Sequence, residues 1–180
     1  MNDFSALAQG GGSSAGGSAQ AKSTPASSGP TSALAGEFLA VTKPHVDELK
    51  AAAQTIGNAS VIQATADIAE AVQINGALLQ TMAAFKTPAD KKFCTTESAI
   101  VQLMQRTENS SKTDRKSPMD VMKVCTDGFQ LFFWHTTPGN DLLGDYMTEI
   151  ESQVLFYGNR IRKKGKDEEK AWFEAYNGMM

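Results

Sequence analysis

The chain has 180 residues, of which 41% are hydrophobic and 21% are charged, a balance typical of a globular protein with one buried core. Its net charge of -3 gives no overall attraction to nucleic acid or to an anionic membrane, so any electrostatic binding must be local. No stretch approaches the roughly 18 apolar residues of a membrane span. Cys94 and Cys125 are too few for a disulfide framework, and we expect buried thiols in a cytoplasmic protein.

The N-terminal part of the chain has the composition of a disordered arm. From about Gly10 to Ser32 it consists mainly of Gly, Ser, Ala, Thr and Pro, which cannot bury enough surface to offset chain entropy. The glycine triplet at 10–12 lacks the Gly-Lys-Ser/Thr ending of a phosphate loop, so we interpret it as part of a flexible linker. We predict an arm over residues 1–34 and a single domain over residues 35–180.

The first helix is predicted from the apolar stripe that begins at Phe38 and continues to Ile56. Pro44 interrupts this stripe, and we expect a fresh start there, with Thr42 as the N-cap and Pro44 in the first turn. The Gly57-Asn58 pair is a typical helix stop with a left-handed backbone.

An alanine-rich second helix is predicted from about Ala59 to Ala84, ended by a Thr-Pro pair at 87–88. The third helix is predicted from about Lys92 to Thr107. It is followed by a polar stretch, Arg106 to Pro118, which has no apolar residue and is predicted to be a loop.

The fourth helix is predicted to begin at Ser117-Pro118, as cap and first turn, and to run to Trp134. Its core face carries one methionine, one cysteine and three phenylalanines, namely Met122, Cys125, Phe129, Phe132 and Phe133. A ligand-stacking role for these rings is the less favoured interpretation.

The fifth helix is predicted from Asp141, as its cap, to Lys163, and it ends in a cluster of cations. These cations either compensate the helix dipole or meet an anionic partner. Gly165 ends this helix, and a sixth helix opens at Asp167 with aromatic core residues. Since no stretch alternates like a strand, the sequence predicts an all-α, antiparallel six-helix bundle preceded by a disordered arm.

The chain offers no convergent set of catalytic groups. His45 and His135 lie far apart in the sequence without metal-ligand spacing, and no nucleophile motif is present. Aromatic residues interleaved with cations over 156–162 are typical of single-strand nucleic-acid binders, but their rings are predicted on the buried face of the helix. We therefore expect a protein that is not an enzyme and that needs no cofactor or metal.

Several stretches occur in an order that is characteristic of one family. They are Gln130 to Trp134, Pro138-Gly139, and Phe156-Tyr-Gly-Asn-Arg-Ile161 followed by Trp172 and Tyr176, with Lys86-Thr-Pro88 and Arg106-Thr-Glu-Asn109 in corresponding places. From Phe38 onward the chain resembles the N-terminal helical folded domain of cyclase-associated proteins. It departs from that pattern at Ser110 and Asn140 and lacks the family's coiled coil and C-terminal regions, so it resembles a short or truncated member.

The resemblance implies a bundle that binds actin together with cofilin at the pointed end of filaments and promotes their turnover. The candidate contacts are Arg106, Glu108, Asn109, Lys112, Pro138 and Gly139. To these we add Asn159, Arg160, Lys163 and Lys164 as physical candidates for meeting an acidic surface. Adenylyl cyclase and a second copy of the chain are further partners that the resemblance allows, and the expected location is cytoplasmic and cytoskeleton-associated.

Two other interpretations remain open at this level. One is a helical adaptor or self-associating scaffold that has kept the bundle and lost actin binding, which the departures at Ser110 and Asn140 favour. The other is a small enzyme or ligand-binding bundle, for which a deep pocket lined by titratable groups would be the sign.

Overall fold

The computed structural model describes residues 30–84, 91–136 and 140–180 of the chain. The helices are α1 (Pro30–Ile56), α2 (Ala59–Ala84), α3 (Lys91–Thr113), α4 (Met119–Gly128) with a 3₁₀ continuation (Phe129–Thr136), α5 (Asn140–Lys164) and α6 (Asp167–Met179). No strand occurs in these ranges, and the prediction of an all-α six-helix bundle is confirmed.

Helix α1 is continuous through Pro44, so the predicted fresh start at this proline is wrong. Thr42 is buried, and its hydroxyl donates to the carbonyl of Phe38 at 2.8 Å, so it is a mid-helix residue rather than a cap. Pro44 removes one backbone hydrogen bond, but Val46 and Leu49 of the same helix are buried in the core. Packing of this face therefore stabilises α1 where local propensity would break it. The helix begins at Pro30, within the predicted arm, while residues 1–29 lie outside the described ranges.

The junction between α1 and α2 agrees with the prediction. Gly57 has a φ of 69°, the left-handed backbone conformation that glycine adopts without strain. The side-chain oxygen of Asn58 accepts a hydrogen bond from the backbone N–H of Val61 at 3.0 Å, which caps the start of α2. Helix α2 then spans Ala59–Ala84 as predicted.

Helix α3 extends to Thr113, so most of the stretch predicted as a loop is helical. Polar residues there lie along a helix that α2 holds in place, because Arg106 and Thr107 both donate to the buried carboxylate of Asp67. The predicted cap of α4 is also wrong: the hydroxyl of Ser117 donates to the carbonyl of Asp114, and Pro118 occupies the N-cap without a side-chain hydrogen bond.

The predicted fourth helix tightens to 3₁₀ geometry from Phe129 onward. Tertiary contacts fix this segment, since the indole N–H of Trp134 donates to the side-chain oxygen of Asn75 on α2 at 2.7 Å. Helix α5 begins one residue before the predicted cap, Asp141, which is thus inside the helix, and it ends at Lys164.

The core is completed by the last helix. Helix α6 packs mainly against α1, while α4 packs against α5 and α2 packs against both α1 and α3. The largest fully buried side chains are Trp172, Tyr176, Phe129 and Phe173. The indole N–H of Trp172 donates to the hydroxyl of Thr65 on α2 at 3.0 Å, which ties the end of the chain to the middle of the bundle.

Candidate functional site

The C-terminal ends of α3 and α5 meet at the same end of the bundle. A short turn at residues 114–118 connects α3 to α4, and α5 runs back along α4, so that Arg160 contacts Asp120 in the first turn of α4 at 3.3 Å. We call this end of the molecule the basic end, defined by Lys112, Arg115, Lys116, Lys163 and Lys164. All five side chains are exposed.

The turn at the basic end is held by Asp114. Its carboxylate accepts hydrogen bonds from Asn58 at 3.1 Å, from Ser60 at 2.8 Å and from the backbone N–H of Lys116 at 2.9 Å. These bonds, that from Ser60 foremost, hold the pKa of Asp114 below its ordinary value. The positions of Arg115 and Lys116 are therefore fixed relative to the start of α2.

Arg106, predicted as a surface contact, is engaged inside the bundle. Its Nε donates to the Asp67 carboxylate at 3.1 Å, its Nη2 pairs with the same group, and Glu70 lies 3.6 Å away. Asp67 is completely buried, whereas the Arg106 side chain is 50% exposed. The guanidinium thus joins α2 to α3, and one face of it remains open to solvent.

The other α3 candidates lie on the last two turns of the helix. Lys112 and Glu108 form an exposed pair at 3.3 Å with i, i+4 spacing. Asn109 is exposed, and its backbone carbonyl accepts a hydrogen bond from the hydroxyl of Thr113 at 2.8 Å. These side chains are accessible, and the pair between Lys112 and Glu108 adds little net charge.

The cations of α5 divide into two groups. Arg160 contacts Asp120, and Arg162 donates to Glu174 of α6 at 2.8 and 3.1 Å, with its guanidinium 4.9 Å from the centre of the Phe173 ring. Within the described ranges, Lys163 and Lys164 have no ion-pair partner. These two lysines are thus the α5 cations that remain available, and exposed Asn159 adjoins them one turn back.

Pro138 and Gly139 lie outside the residues that the structure describes. On either side of residues 137–139, Thr136 ends the 3₁₀ segment and Asn140 begins α5. Because α5 runs from Asn140 to Lys164, these two residues lie about 36 Å apart at a rise of 1.5 Å per residue. The fold therefore brings together the candidates on α3 and α5 at the basic end and places the start of α5 at the opposite end.

Sequence reasoning missed a groove between α4 and α5. It has a volume of about 470 Å³ and is lined by one acidic residue of α4 and five residues of α5, namely Asp127, Glu149, Ser152, Gln153, Phe156 and Tyr157. The prediction that the rings of this stretch are buried is wrong for Phe156, which is 60% exposed. The signal was present, since Phe156 falls outside the core stripe formed by Val154, Tyr157 and Ile161.

A second, more enclosed cavity of about 130 Å³ opens near the C-terminal end of α6. It is lined mainly by aromatic, methionine and aliphatic side chains, including Phe38, Trp134, Met147, Met179 and Met180. Among the residues that the structure describes, no titratable side chain lines it.

Burial shifts the pKa values of three titratable groups in the directions that favour their neutral forms. Burial raises the pKa of the Cys125 thiol and that of the Tyr176 hydroxyl well above their ordinary values. Burial lowers the pKa of His135, so this imidazole is neutral at pH 7. Across residues 30–84, 91–136 and 140–180 no three His, Cys, Asp or Glu side chains are grouped as metal ligands, and no helix there is long and apolar enough to cross a membrane.

Known proteins match the chain at the level of family and fold. The family model of the CAP N-terminal domain matches residues 38–180. The N-terminal domain of the adenylyl cyclase-associated protein from Dictyostelium discoideum superposes with a TM-score of 0.71 at 17% identity, over 81% of this chain and 84% of that one. A crystal structure of a CAP N-terminal domain described as showing variable oligomerisation has a TM-score of 0.74 at 18% identity, over 84% and 83% of the two chains. No curated protein matches the sequence.

Proposed function

The chain belongs to the family of N-terminal domains of CAP, the cyclase-associated proteins, and on this premise we propose that it is an actin-binding module. In this proposal it promotes the turnover of actin filaments at their pointed ends together with cofilin, without catalysing a reaction. Such a role places it in the cytoplasm, on the actin cytoskeleton. The observation that carries the proposal is the basic end, where the α3 stretch that resembles a contact region of the family lies at the same end of the bundle as the lysines of α5, which we add as physical candidates.

The charge distribution supports a local contact with an acidic surface. The whole chain carries a net charge of -3, so the unpaired lysines Lys163 and Lys164 form a local positive area on an acidic protein. In the neighbouring first turn of α6, Asp167 pairs with Lys170, and Glu169 accepts the backbone N–H of Lys166. These two carboxylates are thus engaged with Lys170 and Lys166, which leaves Lys163 and Lys164 able to meet a partner.

The test is pointed-end depolymerisation of actin filaments with and without cofilin. Neutralising both lysines, Lys163→Gln with Lys164→Gln, should reduce the acceleration by about three- to tenfold at low ionic strength, because rim charges act mainly on the association rate. The difference should shrink at high salt, where exposed charges are screened. Among the described residues neither lysine forms an ion pair that its substitution would remove, so the chain should still fold.

A matched control removes the same charge from another helix. The double change Lys43→Gln with Lys50→Gln neutralises two exposed lysines of α1, of which Lys43 forms a surface pair with Asp47, and should leave the acceleration within twofold of wild type. Equal loss in both double variants would show that net charge, rather than the basic end, matters. If the unmodified chain neither accelerates depolymerisation nor co-sediments with cofilin-bound filaments, the adaptor interpretation replaces the proposal.

A further inference from the structure

We propose that the groove between α4 and α5 is a second part of the partner-binding surface, which takes an apolar side chain flanked by lysine or arginine. We call this surface the α4–α5 groove, lined by the six residues named above. The inference rests on the proposed function in that it assigns the groove to the same partner complex, but its chemistry is opposite to that of the basic end. It predicts that most binding free energy comes from Phe156 rather than from the lysines.

The position of Phe156 on α5 supports this proposal. Its side chain is 60% exposed although its neighbour Tyr157 is half-buried, and the two rings are edge to face with centres 5.1 Å apart. A singly exposed apolar residue is normal on a protein surface. Phe156, however, lines a shallow, open groove, and aromatic side chains are among the residues that most often dominate binding energy at an interface.

The acidic side chains of the α4–α5 groove also support this proposal. Glu149, Ser152, Gln153 and Phe156 follow one face of α5 at positions i, i+3, i+4 and i+7, and Asp127 of α4 faces them across the groove. Within the described ranges neither Asp127 nor Glu149 has an ion-pair partner. Two unpaired carboxylates beside an exposed ring are complementary to a segment in which a cation adjoins an aliphatic or aromatic side chain.

Geometry joins the groove to the basic end. Phe156 precedes Lys163 by seven residues on the same helix, or about 10 Å along its axis. Between them the guanidinium of Arg160 lies 6.0 Å from the centre of the Tyr157 ring and contacts Asp120. The ion pair between Arg160 and Asp120 forms the boundary between an acidic, apolar area and a basic area. A partner that covers both areas is therefore oriented by the change in the sign of the surface charge.

The first experiment uses the depolymerisation assay with a matched apolar control. Phe156→Ser should reduce the affinity of the chain for cofilin-bound filament ends by about tenfold or more, since truncation of an aromatic anchor commonly costs more than 1.4 kcal/mol. Leu142→Ser changes another exposed residue of α5, 54% exposed and about 21 Å away along the helix, and should change the affinity less than twofold. Circular dichroism of both variants should be unchanged.

The second experiment isolates the carboxylates. Asp127→Asn with Glu149→Gln should weaken binding by about three- to tenfold, whereas Glu151→Gln, an exposed control on the same helix, should have no effect. A synthetic peptide of alternating lysine and leucine, titrated into the isotope-labelled chain, should shift the amide resonances of residues 149–157. It should leave them unchanged in the Phe156→Ser variant.

The outcomes separate the two proposals. If the wild-type chain acts on filaments but Phe156→Ser and the peptide have no effect, the groove inference is overturned and the proposed function stands. If the chain has no effect on actin but the peptide shifts the groove resonances, the actin proposal fails and the groove remains a binding site for basic, apolar segments. Peptide shifts that map away from both Asp127 and residues 149–157 would also overturn the inference.

Discussion

Replacing Arg106 with alanine is expected to destabilise the bundle before it affects any binding surface. Asp67 is completely buried and accepts hydrogen bonds from Gln63 at 2.8 Å and Thr107 at 3.0 Å, in addition to those from Arg106. The substitution removes the only cation that donates to this carboxylate among the described residues, along with two of its four hydrogen bonds. What remains is a buried charge with incomplete compensation.

The magnitude follows from burial and from the bonds that are kept. Removing one partner of a fully buried ion pair costs about 3–5 kcal/mol. The Arg106 side chain is 50% exposed, so water replaces part of its contribution, and Gln63 and Thr107 still donate to Asp67. We therefore expect a loss of about 2–3 kcal/mol in the free energy of unfolding. For a chain of this size that lowers the melting temperature by about 4–12 °C.

Urea and thermal denaturation measure this loss, and a double-mutant cycle assigns it. In the background of Asp67→Asn, which removes the buried charge, Arg106→Ala should cost less than about 1 kcal/mol, because the two changes act on one interaction. If Arg106→Ala melts within 2 °C of wild type yet loses filament binding, the reasoning is refuted. Arg106 would then be a contact residue, as the resemblance alone had implied.

Two further tests address packing and electrostatics. In denaturant titrations, Gly158→Ala should lower the free energy of unfolding by about 1–3 kcal/mol, because its Cβ would lie 1.8 Å from the buried Phe173 ring. Gly144→Ala, with open space around it, should instead raise the free energy of unfolding by about 0.5–1 kcal/mol. Equal effects of the two substitutions would contradict the close approach of α5 and α6. Asp114 has a folded-state pKa below its ordinary value, so its stabilisation of the turn is present above about pH 4 and is lost as the pH falls through the folded pKa. Its carboxyl resonance should accordingly titrate below 3.8, and Ser60→Ala should move that midpoint upward, while a wild-type midpoint at or above 3.8 would contradict the hydrogen-bonded turn.

Apolar periodicity predicted the helices of this bundle well because buried faces repeat every three to four residues. Helix α2 has both of its predicted bounds, and helix α6 begins where its pattern predicts. Gly57 stops α1, as the conformational freedom of its backbone suggests. Predictions from local sequence were wrong where contacts between residues distant in the sequence decide where a helix continues. Pro44 lies within a helix because the face around it is buried, and the last two turns of α3 are helical because Asp67, some forty residues earlier, holds Arg106 and Thr107.

The sequence could indicate which residues make up the candidate site, but not which of its cations already pair with a carboxylate. The sequence identified the cations of α5, yet only the fold shows that Arg160 and Arg162 have carboxylate partners, whereas Lys163 and Lys164 have none in the part of the chain that the structure describes. Ion pairs such as that between Arg162 and Glu174 depend on side-chain placement across two helices, which periodicity does not encode. The exposure of Phe156, in contrast, follows from its position off the core stripe.

The packing of α6 against α1 also governs when this chain can fold. The hydrogen bond from Trp172 to Thr65 joins residues 107 positions apart, and Trp172 and Tyr176 are among the largest fully buried side chains. During synthesis, α1 and α2 emerge from the ribosome long before the aromatic residues that complete their core. We expect the nascent chain to retain an open apolar face until residue 176 has cleared the exit tunnel. The same contacts between distant segments give the helical domain a higher contact order, and slower folding, than its local helices suggest.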